Sequence, residues 1–147
     1  MCGNDAPRHC VRQFSPTIDS TKGVCTALKK ALLIVDHGST RKEANDMLSA
    51  VAENCRKLRP DLSVHVAHME LADPNIAQGF EQCVKDGAQE VIVHPYMLSP
   101  GRHATSDIPR IVAECSLKHP GVTVYVTAPL GIDDKICEVI LKRAGIQ

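Results

Sequence analysis

The sequence predicts an α/β protein with a parallel four-stranded sheet flanked by helices. From residue 31 onward, short apolar runs alternate four times with segments whose apolar residues recur every three or four positions. Each connection between successive apolar runs is long enough to hold a crossover helix, which parallel strands require. The chain has 147 residues, of which 44% are apolar and 23% charged, as expected for one globular domain.

The first strand and the first helix have the clearest patterns. ALLIVDHG, residues 31–38, is a continuous apolar run bounded by polar residues, which is typical of a strand buried on both faces. The next apolar residues recur in steps of three and four, which predicts an amphipathic helix ending before Pro60. These residues are Ala44, Met47, Leu48, Val51, Ala52, Cys55 and Leu58.

The same alternation continues to the end of the chain. The other predicted strands are residues 62–71, 90–98 and 122–131. The other predicted helices are residues 73–87, 106–121 and 133–145, with residues 99–105 as a loop. Pro74 and Pro109 suit the first turns of their helices, and Gly87 suits a helix end.

The charge balance excludes several classes of partner. Seventeen basic and seventeen acidic residues cancel, so no global field attracts nucleic acid or an anionic membrane. No apolar run approaches the roughly 18 residues of a membrane span, and the N-terminus has no hydrophobic leader. We therefore expect a soluble intracellular protein without nucleic-acid or membrane partners.

The seven cysteines predict packing rather than cross-linking. None is spaced as Cys-x-x-Cys, so neither a disulfide framework nor a zinc knuckle is expected. Four lie on apolar faces of predicted helices, where a thiol acts as a small hydrophobe: Cys55, Cys83, Cys115 and Cys137. The other three are Cys2, Cys10 and Cys25.

The N-terminal segment differs from the rest of the chain. Residues 1–29 show no sustained periodicity and are predicted to form a flexible tail, whereas residues 30–147 form a single domain. The slight basic excess of the tail fits a targeting remnant and a disordered extension equally well.

Polar side chains follow three of the predicted strands. Open α/β sheets bind ligands beyond the carboxyl ends of their strands. His37 follows the first strand, Glu70 closes the second, and His103 lies in the loop after the third, so all three are expected at one rim. Asp36 is expected to orient the His37 ring, and Gly38 leaves room for close approach.

Other polar residues near the two histidines are candidates for substrate binding. Arg41 and Arg102 are expected to pair with substrate carboxylates. Ser39 either donates from the same loop or caps the first helix. His65 and His68 are not expected to share a metal, because a three-residue step on a strand points the two rings to opposite faces.

Four separated motifs follow one another along the chain: LLIVDHGST with EAN close behind, AHMELADP, PYMLSPGRHATSDIP and TAPLG. Together they resemble the small single-domain sirohydrochlorin chelatases of the class II chelatase superfamily. The resemblance implies a chelatase-like domain, equivalent to the flavodoxin- or Rossmann-like half of a bilobal chelatase, that pairs as a homodimer. AHMELADP is especially similar to versions in photosynthetic eukaryotes, which implies plastid stroma as an alternative to cytoplasm.

The resemblance also implies an activity. It implies insertion of Fe(II), for siroheme, or Co(II), for cobalamin precursors, into the anionic tetrapyrrole sirohydrochlorin without ATP. His37 and His103 match the metal-binding and proton-accepting histidines, and Glu70 matches an acid that faces the cavity. The metal is then a substrate, and no tightly bound cofactor is expected. Similar plant proteins bind an iron–sulfur cluster on a cysteine-rich C-terminal extension; because this sequence ends at ILKRAGIQ, no cluster is expected.

Imidazole chemistry suits this activity. Near pH 7 a side chain with a pKa of about 6.5 is mostly neutral, so it binds a metal and can still accept a proton. Two protein ligands leave coordination positions open for transfer. A metal- or tetrapyrrole-binding module without turnover would use the same histidines. A histidine phosphatase is disfavoured, because Asp36 stands where those enzymes have arginine and would repel phosphate.

Overall fold

The computed structural model describes residues 28–146, in which four strands alternate with four α-helices. Most of the predicted tail, with Cys2, Cys10 and Cys25, therefore lies outside the described residues. The strands are β1 (Lys30–Asp36), β2 (Ser63–His68), β3 (Glu90–Pro95) and β4 (Thr123–Val126). The helices are α1 (Lys42–Leu58), α2 (Ile76–Lys85), α3 (Ile108–Leu117) and α4 (Asp134–Arg143).

The four strands form one parallel sheet in the order β2-β1-β3-β4, which confirms the predicted fold class. β1 is central and its side chains alternate between two cores. Leu33 and Val35 pack with residues of α2 and α3, including Phe80. Ile34 points to the other face, where it packs with Leu48 and neighbouring residues of α1.

Several predicted boundaries are wrong at the carboxyl edge of the sheet: β3 ends at Pro95 and not at residue 98, and β4 ends at Val126 and not at residue 131. β2 ends at His68 instead of continuing to residue 71, because the chain reverses at Leu71, where φ is 65°. The loop predicted over residues 99–105 instead enters a π-helical turn, His103–Asp107, that runs directly into α3. In this turn the Ile108 N–H bonds to the carbonyl five residues back, and Pro109 has no N–H with which to continue the α-helical pattern.

The cysteine prediction holds for two of the four helical residues. Cys83 and Cys115 are buried, and burial raises the pKa of the Cys83 thiol to about 12. Cys55 is half-buried. Cys137 is exposed, contrary to the prediction, because α4 has no buried residue.

The helices between residues 28 and 146 include none with the length and apolar character needed to span a bilayer.

Candidate metal site

The fold brings His37 and His103 together at the carboxyl edge of the sheet. His37 follows β1 and His103 begins the turn after β3, and these two strands are neighbours in the sheet. The centroids of the two imidazole rings are 5.3 Å apart, with 66° between the ring planes. Both side chains are exposed. Two residues distant in the sequence therefore present adjacent imidazoles to solvent.

This spacing is compatible with one shared metal ion. A divalent ion bound about 2.1 Å from a ring nitrogen lies about 3.2 Å from the ring centre, so two rings on one ion stand at most about 6.5 Å apart. The observed 5.3 Å falls below that limit. Within residues 28–146, no group of three or more histidine, cysteine or acidic side chains is arranged to hold a metal. Two imidazoles alone would leave most of the coordination sphere open.

The His103 ring is oriented by a carboxylate one helical turn later. Nδ1 of His103 lies 2.9 Å from Oδ2 of Asp107. A carboxylate only accepts hydrogen bonds, so Nδ1 carries a proton, and in the neutral imidazole Nε2 is then the nitrogen with the lone pair for a metal. Arg102 Nε lies 3.8 Å from the same carboxylate oxygen, while the Arg102 side chain is largely exposed.

The His37 ring has a different partner from the one predicted. Its Nδ1 lies 3.3 Å from the Gly38 carbonyl oxygen, which likewise only accepts, so Nε2 of His37 is again the free ligand atom. Asp36 does not orient His37. Its Oδ1 accepts from His68 Nδ1 at 2.6 Å and from the Gly38 N–H at 2.9 Å, because the carboxylate shares the sheet face of the buried His68.

Gly38 is the point at which two loops meet. Its φ is 84°, and a Cβ at this position would lie 1.9 Å from the carbonyl oxygen of Glu70. The Glu70 N–H also donates to the His37 carbonyl at 3.0 Å. The backbone of the turn after β2 therefore braces the loop that carries His37, and only glycine permits the contact. The Glu70 side chain itself is exposed at the same edge, beyond the end of β2.

Ser39 and Arg41 lie on the connection from His37 to α1. The Ser39 hydroxyl accepts from the Arg41 N–H at 3.0 Å, and Arg41 is the N-cap residue of α1 without a side-chain cap bond. Asn45 then fixes the Ser39 backbone from both sides, accepting from its N–H at 3.0 Å and donating to its carbonyl at 2.8 Å. The Arg41 side chain remains exposed.

The other sheet histidines have separate partners. His65 Nε2 lies 2.8 Å from the Ser63 hydroxyl, whereas His68 pairs with Asp36. His94 Nδ1 lies 2.7 Å from the Thr127 hydroxyl, and burial lowers the pKa of His94.

Sequence reasoning missed the residues that support the two rings. Asp107 follows His103 at a spacing of four residues, and that spacing would have identified it had the segment been read as helical. Asn45 belongs to the EAN motif, but no pattern in the local sequence indicates its two hydrogen bonds to the Ser39 backbone. The His68–Asp36 pair depends on strand register, which a single sequence does not reveal.

The fold and this edge together define a class of protein: an open parallel α/β domain that presents two adjacent, exposed imidazoles beyond its strand ends. The chain belongs to the CbiX family, whose model matches residues 31–146. The match covers all four helices and all four strands except Lys30, the first residue of β1.

Individual relatives agree with this assignment. A chloroplastic sirohydrochlorin ferrochelatase of Arabidopsis thaliana is 40% identical over 112 residues, which cover 76% of this chain and 50% of that protein. A sirohydrochlorin cobaltochelatase of Methanocaldococcus jannaschii is 27% identical over 139 residues, covering 78% of this chain and 97% of that protein. The sirohydrochlorin chelatase SirB from Bacillus subtilis subspecies spizizenii in complex with cobalt superposes with a TM-score of 0.75 at 33% identity, covering 80% of this chain and 50% of that one. This chain thus spans half the length of the Arabidopsis and Bacillus proteins that it matches.

Asp107→Asn is expected to lower Co(II) affinity by about 10- to 100-fold, the usual cost of losing the carboxylate behind a ligand histidine. A neutral amide is a weaker hydrogen-bond acceptor than a carboxylate, so it stabilises the His103 tautomer with the proton on Nδ1 less strongly. Titration with Co(II) measures the effect. Glu114→Gln is the matched control, because it removes an exposed α3 carboxylate that pairs with Arg110. Equal Co(II) affinity in both variants would show that Asp107 does not contribute to metal binding.

Proposed function

We propose that this chain inserts Fe(II) or Co(II) into sirohydrochlorin without ATP, as a sirohydrochlorin chelatase. The observation that carries the proposal is the pair of imidazoles 5.3 Å apart, at the ligand-binding edge of a CbiX-family fold. Relatives named for iron insertion and for cobalt insertion both align with the chain, which supports the two metals as alternatives.

In this proposal His37 and His103 are catalytic residues that receive the metal. Their Nε2 atoms replace two waters of the hydrated ion, and the open positions allow the ring nitrogens of the tetrapyrrole to replace the others. As the metal passes to the macrocycle, the released imidazoles accept the two protons that leave the pyrrole nitrogens. Both rings are exposed, so the protons pass from them to solvent.

The substrate-binding residues lie around this pair. Arg41 and Arg102 have exposed guanidinium groups on the segments that carry the two histidines, and they would pair with carboxylates at the tetrapyrrole periphery. Ser39 can donate its hydroxyl proton to the same carboxylates, because its oxygen already accepts from the Arg41 N–H. Glu70, whose side chain is exposed at the same edge of the sheet, would also contact the substrate.

The metal in this scheme is a substrate and not a resident cofactor. A complete ligand cage would hold the ion too tightly for transfer, whereas two imidazoles bind it loosely. We further propose that residues 30–147 form the chelatase domain. The chloroplastic relative supports plastid stroma as one compartment, with cytoplasm as the alternative.

We propose a homodimer because the described chain leaves two apolar surfaces uncovered. Val139, Ile140 and Leu141 of α4 are 55%, 61% and 47% exposed. On the α1 side of the sheet, Tyr125 of β4 is also exposed, and within residues 28–146 the core on that side contains residues of β1, β2 and α1 but none of β3 or β4. A second copy would cover these surfaces and supply the lobe that relatives of twice the length carry in one chain.

Ile140→Asp is expected to convert the dimer to a monomer, because it places a charge in the apolar surface of α4. Sedimentation equilibrium of the full chain measures the mass. Lys142→Asp is the control, since it also introduces an acidic residue on α4 but at a polar position. A wild-type chain that sediments as a monomer at all concentrations would contradict the homodimer.

The test of the proposed activity is spectroscopic. Purified protein mixed anaerobically with sirohydrochlorin and Fe(II), or with Co(II), is expected to give the metallated absorption spectrum faster than buffer alone. Binding of the tetrapyrrole without acceleration would instead identify a non-enzymatic binding module. Hydrolysis of a generic phosphate ester, with no metallation, would identify a histidine phosphatase.

A further inference from the structure

We propose that Leu71 is a positioning residue that packs against the flat apolar face of the tetrapyrrole, a proposal that rests on the proposed function. Leu71 lies at the carboxyl edge of the sheet, in the turn between β2 and α2, and its side chain is 61% exposed. Exposure alone does not distinguish Leu71 from other exposed apolar residues of the chain, but its backbone conformation and its place beside the His37 loop do.

The backbone at Leu71 is strained. Its φ is 65°, and among residues 28–146 it is the sole residue other than glycine with a positive φ. The Ala72 N–H bonds to the Glu70 carbonyl at 2.8 Å, which closes a three-residue γ-turn around Leu71. Such turns are rare for bulky residues, and glycine would adopt this φ without steric cost. A leucine retained in a conformation that glycine satisfies more easily is therefore expected to contribute through its side chain.

The turn at Leu71 is hydrogen-bonded to the loop that carries His37. The Glu70 N–H donates to the His37 carbonyl at 3.0 Å, and the Glu70 carbonyl oxygen lies against Gly38. Leu71 is the next residue after this anchor. The backbone position of Leu71 is therefore tied to the backbone of His37, as expected of a residue that sets the height of a macrocycle above a metal ligand.

A second exposed leucine lies on the other side of β1. Leu98 follows β3 and is 67% exposed, and its carbonyl accepts from the Gly131 N–H at 3.0 Å. Because the sheet order is β2-β1-β3, the segments that carry Leu71 and Leu98 flank the segment that carries His37. His37 thus lies between two segments that each carry an exposed leucine, an arrangement that suits a flat ligand with an apolar face and a polar centre.

The variants Leu71→Gly and Leu71→Ala distinguish the effect of the Leu71 side chain on binding from the effect of its backbone conformation. Both remove the apolar contact, but only glycine also relieves the strain, so Leu71→Gly should melt no lower than wild type. Titration of metal-free sirohydrochlorin, followed by absorbance, is expected to give a Kd about 10-fold weaker in both variants. Co(II) affinity in the absence of tetrapyrrole should stay at the wild-type value, because leucine has no metal-binding atom.

Leu117→Ala is the matched control. Leu117 is 83% exposed at the end of α3, at the opposite edge of the sheet, so its truncation should leave the Kd unchanged. Wild-type affinity in both Leu71 variants would overturn the proposal, as would weakening in Leu71→Ala alone, which would assign the effect to the backbone. If wild type itself neither binds nor metallates sirohydrochlorin, the proposed function fails instead.

Discussion

Alanine at either His37 or His103 is expected to reduce the rate of metal insertion by at least about 100-fold, because the proposed mechanism uses each imidazole both as a metal ligand and as a proton acceptor. The rings are 5.3 Å apart, so loss of one leaves a single ligand that competes poorly with water for Fe(II) or Co(II). The double variant should be little worse than either single variant, since the pair acts as a unit. Initial rates of metallated sirohydrochlorin formation measure the effect.

His119→Gln is the control for loss of an imidazole. His119 follows α3 at the opposite edge of the sheet, where it pairs with Glu81 at 2.9 Å. This variant should keep the wild-type rate of metallation. Full activity in both His37→Ala and His103→Ala would show that the paired rings take no part in the chemistry.

Gly38→Ala is expected to destabilise the fold by about 3 kcal/mol or more, the sum of a left-handed φ for alanine and a backbone clash. The new Cβ would lie 1.9 Å from the Glu70 carbonyl oxygen. That oxygen cannot move away without disturbing the bond from the Glu70 N–H to His37. The His37 loop would shift, so metal insertion should fall as well. Urea unfolding and the metallation assay measure the two effects.

Gly87→Ala isolates the cost of the backbone conformation. Gly87 has nearly the same φ, 85°, but a Cβ there would meet only the Lys29 side chain, no closer than 3.6 Å. We expect a loss of about 1 kcal/mol, because the cost of the left-handed conformation is partly offset by the smaller entropy of the unfolded chain. Equal losses of stability in the two variants would show that the contact between Gly38 and Glu70 is not tightly packed.

The sequence was sufficient to predict the elements and the convergence of the two histidine segments. The apolar run of β1 identified a strand buried on both faces, and the periodicity of α1 matched its buried residues Leu48 and Ala52. Given a parallel sheet, the segments after β1 and β3 meet at one edge whatever the details of packing. The comparison with known proteins then confirmed the family that the four motifs had indicated.

The partners of individual side chains were not predictable, because they depend on register and on backbone conformation. Asp36 was expected to orient its sequence neighbour His37. The strand register instead places Asp36 beside His68, with which it forms a hydrogen bond. Asp107 was missed because residues 99–105 were interpreted as a loop, whereas His103–Asp107 is helical. The amphipathic pattern of α4 predicted burial of Cys137, but a pattern does not say whether the covering surface belongs to the same chain.

The most direct test of the shared metal site is an anomalous difference map at the cobalt edge, from crystals of the full chain grown with Co(II). We predict a peak within about 2.1 Å of Nε2 of both His37 and His103. Cobalt bound to only one of these rings, or bound elsewhere with both rings free, would contradict the account.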